Sequence, residues 1–161
     1  MNWLGALLTV ISSYFCGSVI AKGETERLNA IDSLLRLLTF MRLRMLCERM
    51  PLFKIFSEFD DGFLDSRGFL KLVRSSRSGL NVFWRNALST LPLDKDVRDE
   101  LLRFGETLGG LTLDEQISRI DALISFLTER QSALKGALRQ RKRSIRSVCL
   151  LMGIALAIIL L

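Results

Sequence analysis

Residues 112–146 read TLDEQISRIDALISFLTERQSALKGALRQRKRSIR, and this stretch decides the fold. Thr112 and Glu115 stand three apart ahead of an apolar run, the spacing of a capping box, in which the glutamate reaches back to a free amide at a helix start. From there Leu113, Ile117, Ile120, Ile124, Leu127, Leu134 and Leu138 recur at helical intervals, and Gln131 is the single polar interruption of that stripe before Arg141. A continuous stripe of this kind is one face of a helix packed in a hairpin or bundle. The following residues, 147–161, read SVCLLMGIALAIILL and carry no charge. A helix unbroken from Leu113 to Leu161 would be about 70 Å long and would join a polar domain rigidly to an apolar end.

Working toward the N-terminus, Asp94 follows Pro92 as a candidate N-cap for a helix with Val97, Leu101, Phe104 and Leu108 on one face, stopped by Gly109 and Gly110. Gly105 and Gly109 cost helix stability, so their presence predicts a close helix contact or a sharp turn. Between Arg67 and Arg85 stand five bases, Arg67, Lys71, Arg74, Arg77 and Arg85, without an acid. Ser75, Ser76, Ser78 and Gly79 predict a loop there between two short helices, the second carrying Phe83, Trp84, Ala87 and Leu88. Phe53, Phe56, Phe59 and Phe63 lie at helical spacing and read as packing. Asp60, Asp61 and Asp65 around Gly62 lack the spacing of a calcium loop and read as a solvated turn. Residues 24–49 place Leu28, Ile31, Leu34, Leu35, Leu38, Met41, Met45 and Leu46 on one helical face, and Pro51 ends that helix.

The charge distribution sets the organisation. Every charged side chain of the 161-residue chain lies between Lys22 and Arg146, although charged residues make up 25% of it. The first 21 residues, MNWLGALLTVISSYFCGSVIA, are uncharged and long enough as a helix to span the roughly 30 Å hydrocarbon layer. A cleaved signal peptide would carry its bases before the apolar run, and here the first base follows it. Residues 147–161 form a shorter span that thins the bilayer or lets Arg143 and Arg146 snorkel; a buried C-terminal core helix is the alternative, but the segment has no polar face to turn toward water. Lys22, Arg27 and Arg36 follow the first span, while Lys135, Arg139, Arg141, Lys142, Arg143 and Arg146 precede the second. Bases beside a span stay on the cytoplasmic side, so both termini are expected outside the cytoplasm and residues 22–146 inside it. The five bases from Arg139 to Arg146 suit anionic headgroups.

Two prolines and 8% aromatics favour an all-α chain. The chain has no histidine, so the usual general base and nitrogen ligand are missing. Cys16, Cys47 and Cys149 include no close pair, which points to reduced thiols. No phosphate-binding loop, paired catalytic carboxylates or nucleophile constellation is present, so neither an enzyme nor a cofactor is expected, and no recognition motif favours nucleic acid.

The string Phe104-Gly105-Glu106-Thr107-Leu108-Gly109, with Gln116 downstream, a long helix, a basic cluster and an apolar end, resembles the stage III sporulation protein AB family. Pro51-Leu52 after the first cytoplasmic helix belongs to the same resemblance, whereas Thr112 and Cys47 depart from the acidic and aromatic residues expected at those positions. The resemblance implies an antiparallel helix bundle similar to the F domain of type II secretion, between two transmembrane helices. It implies a non-catalytic structural component of the complex linking mother cell and forespore, with a secretion-type ATPase and other sporulation subunits as partners and a homo-oligomer as a further possibility. It places the chain in the membrane on the mother-cell side. Gly105, Glu106, Leu108, Gly109 and Gln116 then form a conformational and contact motif, with Glu106 offered to a basic partner and Gln116 satisfying backbone groups at the turn. The competing reading is a membrane-binding or membrane-remodelling protein whose bases engage anionic lipid directly.

Overall fold

The computed structural model describes the backbone of residues 3–75, 80–108 and 110–160, and the side chains of residues 23–75, 80–108, 110–140 and 144. Among these residues the chain is all-helical: α1 (Trp3–Glu48), α2 (Leu52–Glu58), α3 (Gly62–Ser66), α4 (Phe69–Arg74), α5 (Leu80–Ser89), α6 (Lys95–Thr107) and α7 (Leu113–Leu160). The two expected spans, residues 1–21 and 147–161, lie outside the residues whose side chains are described. Among the described residues no helix is long and apolar enough to cross a membrane.

The long helices α1 and α7 run antiparallel. Gln131 of α7 donates to the Asp32 carboxylate of α1, and Arg42 of α1 meets Asp121 of α7 at 2.5 Å. Ten residues forward along α1 is therefore ten residues back along α7. The shorter helices wind up and down against this pair, and α1 serves as a ruler for them. α2 and α3 descend, because Glu58 meets Arg44 at 3.6 Å, Asp61 meets Arg36 at 2.9 Å, and Glu26 meets Arg67 at 2.8 Å. α4 climbs, α5 descends, and the turn after α5 returns to the foot of the bundle, where Asp94 meets Arg27 at 2.8 Å. α6 climbs again to a turn beside Met45, and α7 leads back down.

Local chemistry sets the breaks. α1 stops at Glu48 because Arg49 takes a left-handed φ of 48° and Pro51 starts α2 in extended conformation. The α3–α4 turn requires Gly68 at φ 76°. Asp61 caps α3, accepting from the Phe63 and Leu64 amides at 3.1 Å each. It is buried and paired with Arg36, so the expected solvated turn is instead a fixed helix start. Arg74 donates to the carbonyls of Phe56 at 3.1 Å and Phe59 at 2.5 Å, which satisfies acceptors left open at the end of α2. Asp94 stands at the α6 N-cap position, but its carboxylate makes no cap hydrogen bond and turns to Arg27 instead. At the start of α7, Glu115 accepts from the Thr112 amide at 3.1 Å and from its hydroxyl at 2.8 Å. The glutamate half of the capping box is thus in place.

The core is one cluster. Ile31, Leu34, Leu38, Met41 and Met45 of α1 are buried as their spacing predicts, while Leu46 is 47% exposed and Leu37 takes an inward position that the stripe omitted. On α7 the buried residues are Ile120, Leu123 and Leu127. Phe56 and Phe59 enter the core, whereas Phe53, on α2 with Phe56, is 62% exposed, and the break between α2 and α3 sets Phe63 on a separate helix. Trp84 sits at the centre, with Phe56, Phe69 and Phe104 rings at 6.1, 5.6 and 5.9 Å, and its indole N–H donates to the Leu101 carbonyl at 2.8 Å. Its ring lies against Gly105: a Cβ built there would stand 2.2 Å from the indole Cδ1. That glycine is the close helix contact its sequence position predicted.

Gly105→Ala is expected to cost about 1–3 kcal/mol through overpacking, outweighing the ~1 kcal/mol that alanine returns in helix propensity. In a Trp84→Leu background the same substitution should cost measurably less, and additive urea midpoints would count against the contact. Glu115 has its carboxyl held below the ordinary 4.5 by the Thr112 hydroxyl, then the Thr112 amide, with Arg119 adding to both. A lowered folded-state pKa stabilises the fold above the ordinary carboxylate value and loses that contribution as pH falls through the folded value. Urea midpoints of wild type and Glu115→Gln should therefore differ most above the ordinary carboxylate value and converge as pH falls below it.

Candidate interaction surface

The string at the end of α6 divides between core and surface. Phe104 and Leu108 are buried, Gly105 lies under Trp84, and Glu106 faces outward. Glu106 meets Arg85 of α5 at 3.4 Å, with both side chains more than 60% exposed. Such a pair in high dielectric contributes roughly 0–1 kcal/mol, so either partner can exchange it for another at little cost. Leu108 ends the helix, its amide donating to the Gly105 carbonyl at 3.3 Å. Gly109 lies outside the described residues.

Gln116 departs from its expected role. Among the described residues its side chain makes no hydrogen bond to the backbone; it lines an open groove with Met45, Met50, Pro51, Leu52 and Leu111. This groove joins the α1–α2 turn to the α6–α7 turn, so Pro51-Leu52 and the end of the FGETLG string, far apart in sequence, meet at one end of the bundle. That end is the one opposite the point where α1 enters and α7 leaves.

The bases expected to form one surface are spread over the fold. Arg67 is at the foot, paired with Glu26 at 2.8 Å and stacked over Phe63 at 5.6 Å. Lys71 is exposed one turn above it. Arg74 is half-buried, and its guanidinium is occupied by the Phe56 and Phe59 carbonyls, which removes it from a partner surface. Arg85 is exposed near the top, beside Glu106. Arg77 lies outside the described residues, as do the side chains of Arg141, Lys142, Arg143 and Arg146, while Arg139 is exposed on α7. Sequence adjacency between Arg67 and Arg85 does not become a patch, because α4 climbs and α5 descends between them.

Among the polar contacts that escaped the sequence reading are Arg36 with Asp61, and Asp32 with Gln131. An aspartate immediately before Gly62-Phe63-Leu64 is an N-cap signal, and it could have identified the first. The second joins residues 99 apart in the chain and has no local signal. Among the described residues no three histidine, cysteine, aspartate or glutamate side chains are placed to hold a metal. The arrangement offers contact surfaces: an apolar groove, an exchangeable charge pair, and a foot rich in charge.

A comparison with curated protein sequences finds no match. A solved structure of stage III sporulation protein AB is similar to this chain with a TM-score of 0.55 and 22% identity, covering 71% of this chain and 97% of that one. At that identity the likeness speaks for the fold. The family model described as stage III sporulation protein AB matches residues 2–161, almost the whole length. With that match the chain belongs to the stage III sporulation protein AB family.

Proposed function

We propose that this protein is a non-catalytic, membrane-anchored component of the sporulation complex between mother cell and forespore, and that its bundle is a platform for a secretion-type ATPase and sister subunits. The observation that carries the proposal is the family match over residues 2–161. The charge map and the helix pairing support the anchoring. Both charge-free ends belong to α1 and α7, whose antiparallel course brings them to the same end of the bundle. In this reading residues 1–21 and 147–161 span the membrane, both termini are outside the cytoplasm, and residues 22–146 are an F-domain-like bundle in the mother-cell cytoplasm.

The bundle end remote from the spans is then the face open to a cytoplasmic partner. It carries the groove between the α1–α2 and α6–α7 turns and the Arg85–Glu106 pair. A pair that weak is suited to exchange, with Glu106 turning to a basic group of the partner. The membrane-remodelling alternative loses support, since Arg74 is engaged inside the fold and Arg85 is paired high on the bundle.

Reporter fusions to each terminus in intact cells should both report the non-cytoplasmic side, and a cytoplasmic C-terminus would reduce the anchor to one span. Pulldown of the ATPase on the detergent-solubilised full chain should fall several-fold with Glu106→Lys while thermal melting stays unchanged. Undiminished capture would remove Glu106 from the contact, and no capture by the wild-type chain would remove the ATPase.

A further inference from the structure

Measured along α1, the underside of the bundle stands very near the last charge-free residue. Arg27, which holds Asp94, is six residues beyond Ala21, a rise of about 9 Å along the helix. Glu26, which holds Arg67, is one residue closer. The headgroup region on each side of the hydrocarbon is about 5–7 Å deep. The two turns at the foot, around residues 66–68 and 90–95, therefore hang at the outer edge of the headgroups if α1 enters the bilayer at Ala21.

The charges at this level are not balanced in availability. Glu26 is held by Arg67, Asp94 by Arg27, and Asp96 by Arg130 at 3.2 Å. Glu24 is turned partly into the protein, while Asp65 at the α3–α4 turn and, one turn up from Lys95 and Arg130, Asp99 and Glu129 are exposed acids without an ion pair among the described residues. Nearest the membrane stand Lys95, Lys135 and Arg139, none with an acid partner among the described residues. The α1–α7 register sets Lys135 level with residue 28 of α1 and Arg139 level with residue 24. Below them on α7 the sequence adds Arg141, Lys142, Arg143 and Arg146 and no acid. Lys95, Lys135 and Arg139 lie within about one Debye length, roughly 8 Å at physiological ionic strength, of the outer edge of those headgroups.

We propose that the bundle rests on the anionic lipid surface through its two foot turns, 66–68 and 90–95, with Lys95, Lys135 and Arg139 as the bases that meet the headgroups. The inference rests on the two-span reading. It replaces a hanging domain on two tethers with one whose tilt is fixed by a third support, on the side of the pair where α3, α4, α5 and α6 lie. Lys95 is the outlying member, carried on α6 and not on either long helix. The neutralised pairs Arg27–Asp94 and Arg67–Glu26 hold the turns at a common height, so the free bases act together.

The test uses the full chain in vesicles of phosphatidylcholine with or without phosphatidylglycerol and a trace of nitroxide-headgroup lipid. In a background with Cys16, Cys47 and Cys149 changed to serine, a fluorophore is placed on Ser66→Cys or on Ser89→Cys, beside the two turns. A third sample keeps exposed Cys47, near the far end of α1, as the distant site. Quenching at residues 66 and 89 should exceed that at residue 47 several-fold. The excess should shrink at least twofold without phosphatidylglycerol, and likewise with Lys95→Glu or the milder Lys95→Gln. Equal quenching at all three sites overturns the contact, and a large excess indifferent to both lipid charge and Lys95 overturns it as an anionic-lipid contact. Alkaline extraction of the same vesicles separates the two readings: a chain stripped off overturns both, whereas an inserted chain with equal quenching overturns this one alone.

Discussion

The antiparallel pairing of α1 and α7 is the constraint on which the rest of the structure depends. Among the described residues its seam packs Ile31, Leu34, Leu38, Met41 and Met45 of α1 with Ile120, Leu123 and Leu127 of α7 in one core, and Gln131 of α7 donates across it to Asp32 of α1. A slip of one turn that set Leu127 opposite Asp32 and Leu28 opposite Gln131 would leave both polar groups facing aliphatic side chains, and a partly buried donor or acceptor without a partner costs about 1–3 kcal/mol. The polar pair therefore works as a register pin against that slip, as a buried polar residue does in a coiled coil. Arg42 with Asp121 repeats the same register ten residues on. Because both helices extend beyond the bundle at one end, the register that orders the core also orders the two ends of the chain.

The short helices add little stiffness of their own. α2, α3 and α4 have 7, 5 and 6 residues, too few to be stable alone, and they persist because Asp61 caps α3 and because Phe56 of α2 and Phe69 of α4 reach Trp84. Arg74, which closes the end of α2 from the end of α4, ties two such pieces together with one guanidinium. Trp84 ties α5 to α6 through Leu101 and Gly105. The exposed ion pairs contribute roughly 0–1 kcal/mol each and serve chiefly to set which helix lies at which height.

Much of this fold was legible in residue spacing. The stripes of residues 24–49 and 113–138, the break at Pro51, the α6 face and the restart at Thr112 all rest on local periodicity or punctuation, which sequence displays directly; the loop expected at residues 75–79 lies mostly outside the described residues. The role of Gly105 was legible in kind, as a close contact, though its partner Trp84, 21 residues away, was not. Side-chain commitments were illegible where they depend on tertiary neighbours. Phe53 and Phe56 share a helix and a hydrophobic character, yet one is exposed and the other is in the core. Arg74 and Lys71 look interchangeable in a basic run, but three residues along α4 carry one to the carbonyls of α2 and leave the other in water. The family string was easier to recognise than to interpret: its glycine is a packing element, its glutamate a surface group, and its downstream glutamine a groove wall.

The formal net charge of +6 is also less informative than its distribution. A base that caps a helix, such as Arg74, is spent within the fold, and one paired across helices, such as Arg27 or Arg42, is neutralised where it stands. Among the described residues, those that remain available include Lys135 and Arg139 on α7, Lys95 on α6 and Lys71 on α4, with Arg49 and Arg119 at the other end. A helix that carries its free bases toward its apolar terminus and its capping acids, Asp114 and Glu115, at its start has its own dipole aligned with this arrangement at the capped end. The same long helix thus holds three functions in series: a start fixed by Thr112 and Glu115, a middle that packs on α1 through Ile120, Leu123 and Leu127, and a basic run before the charge-free end. No break interrupts Leu113–Leu160 and no proline stands within it to kink it, so the three segments follow one another along a single helix.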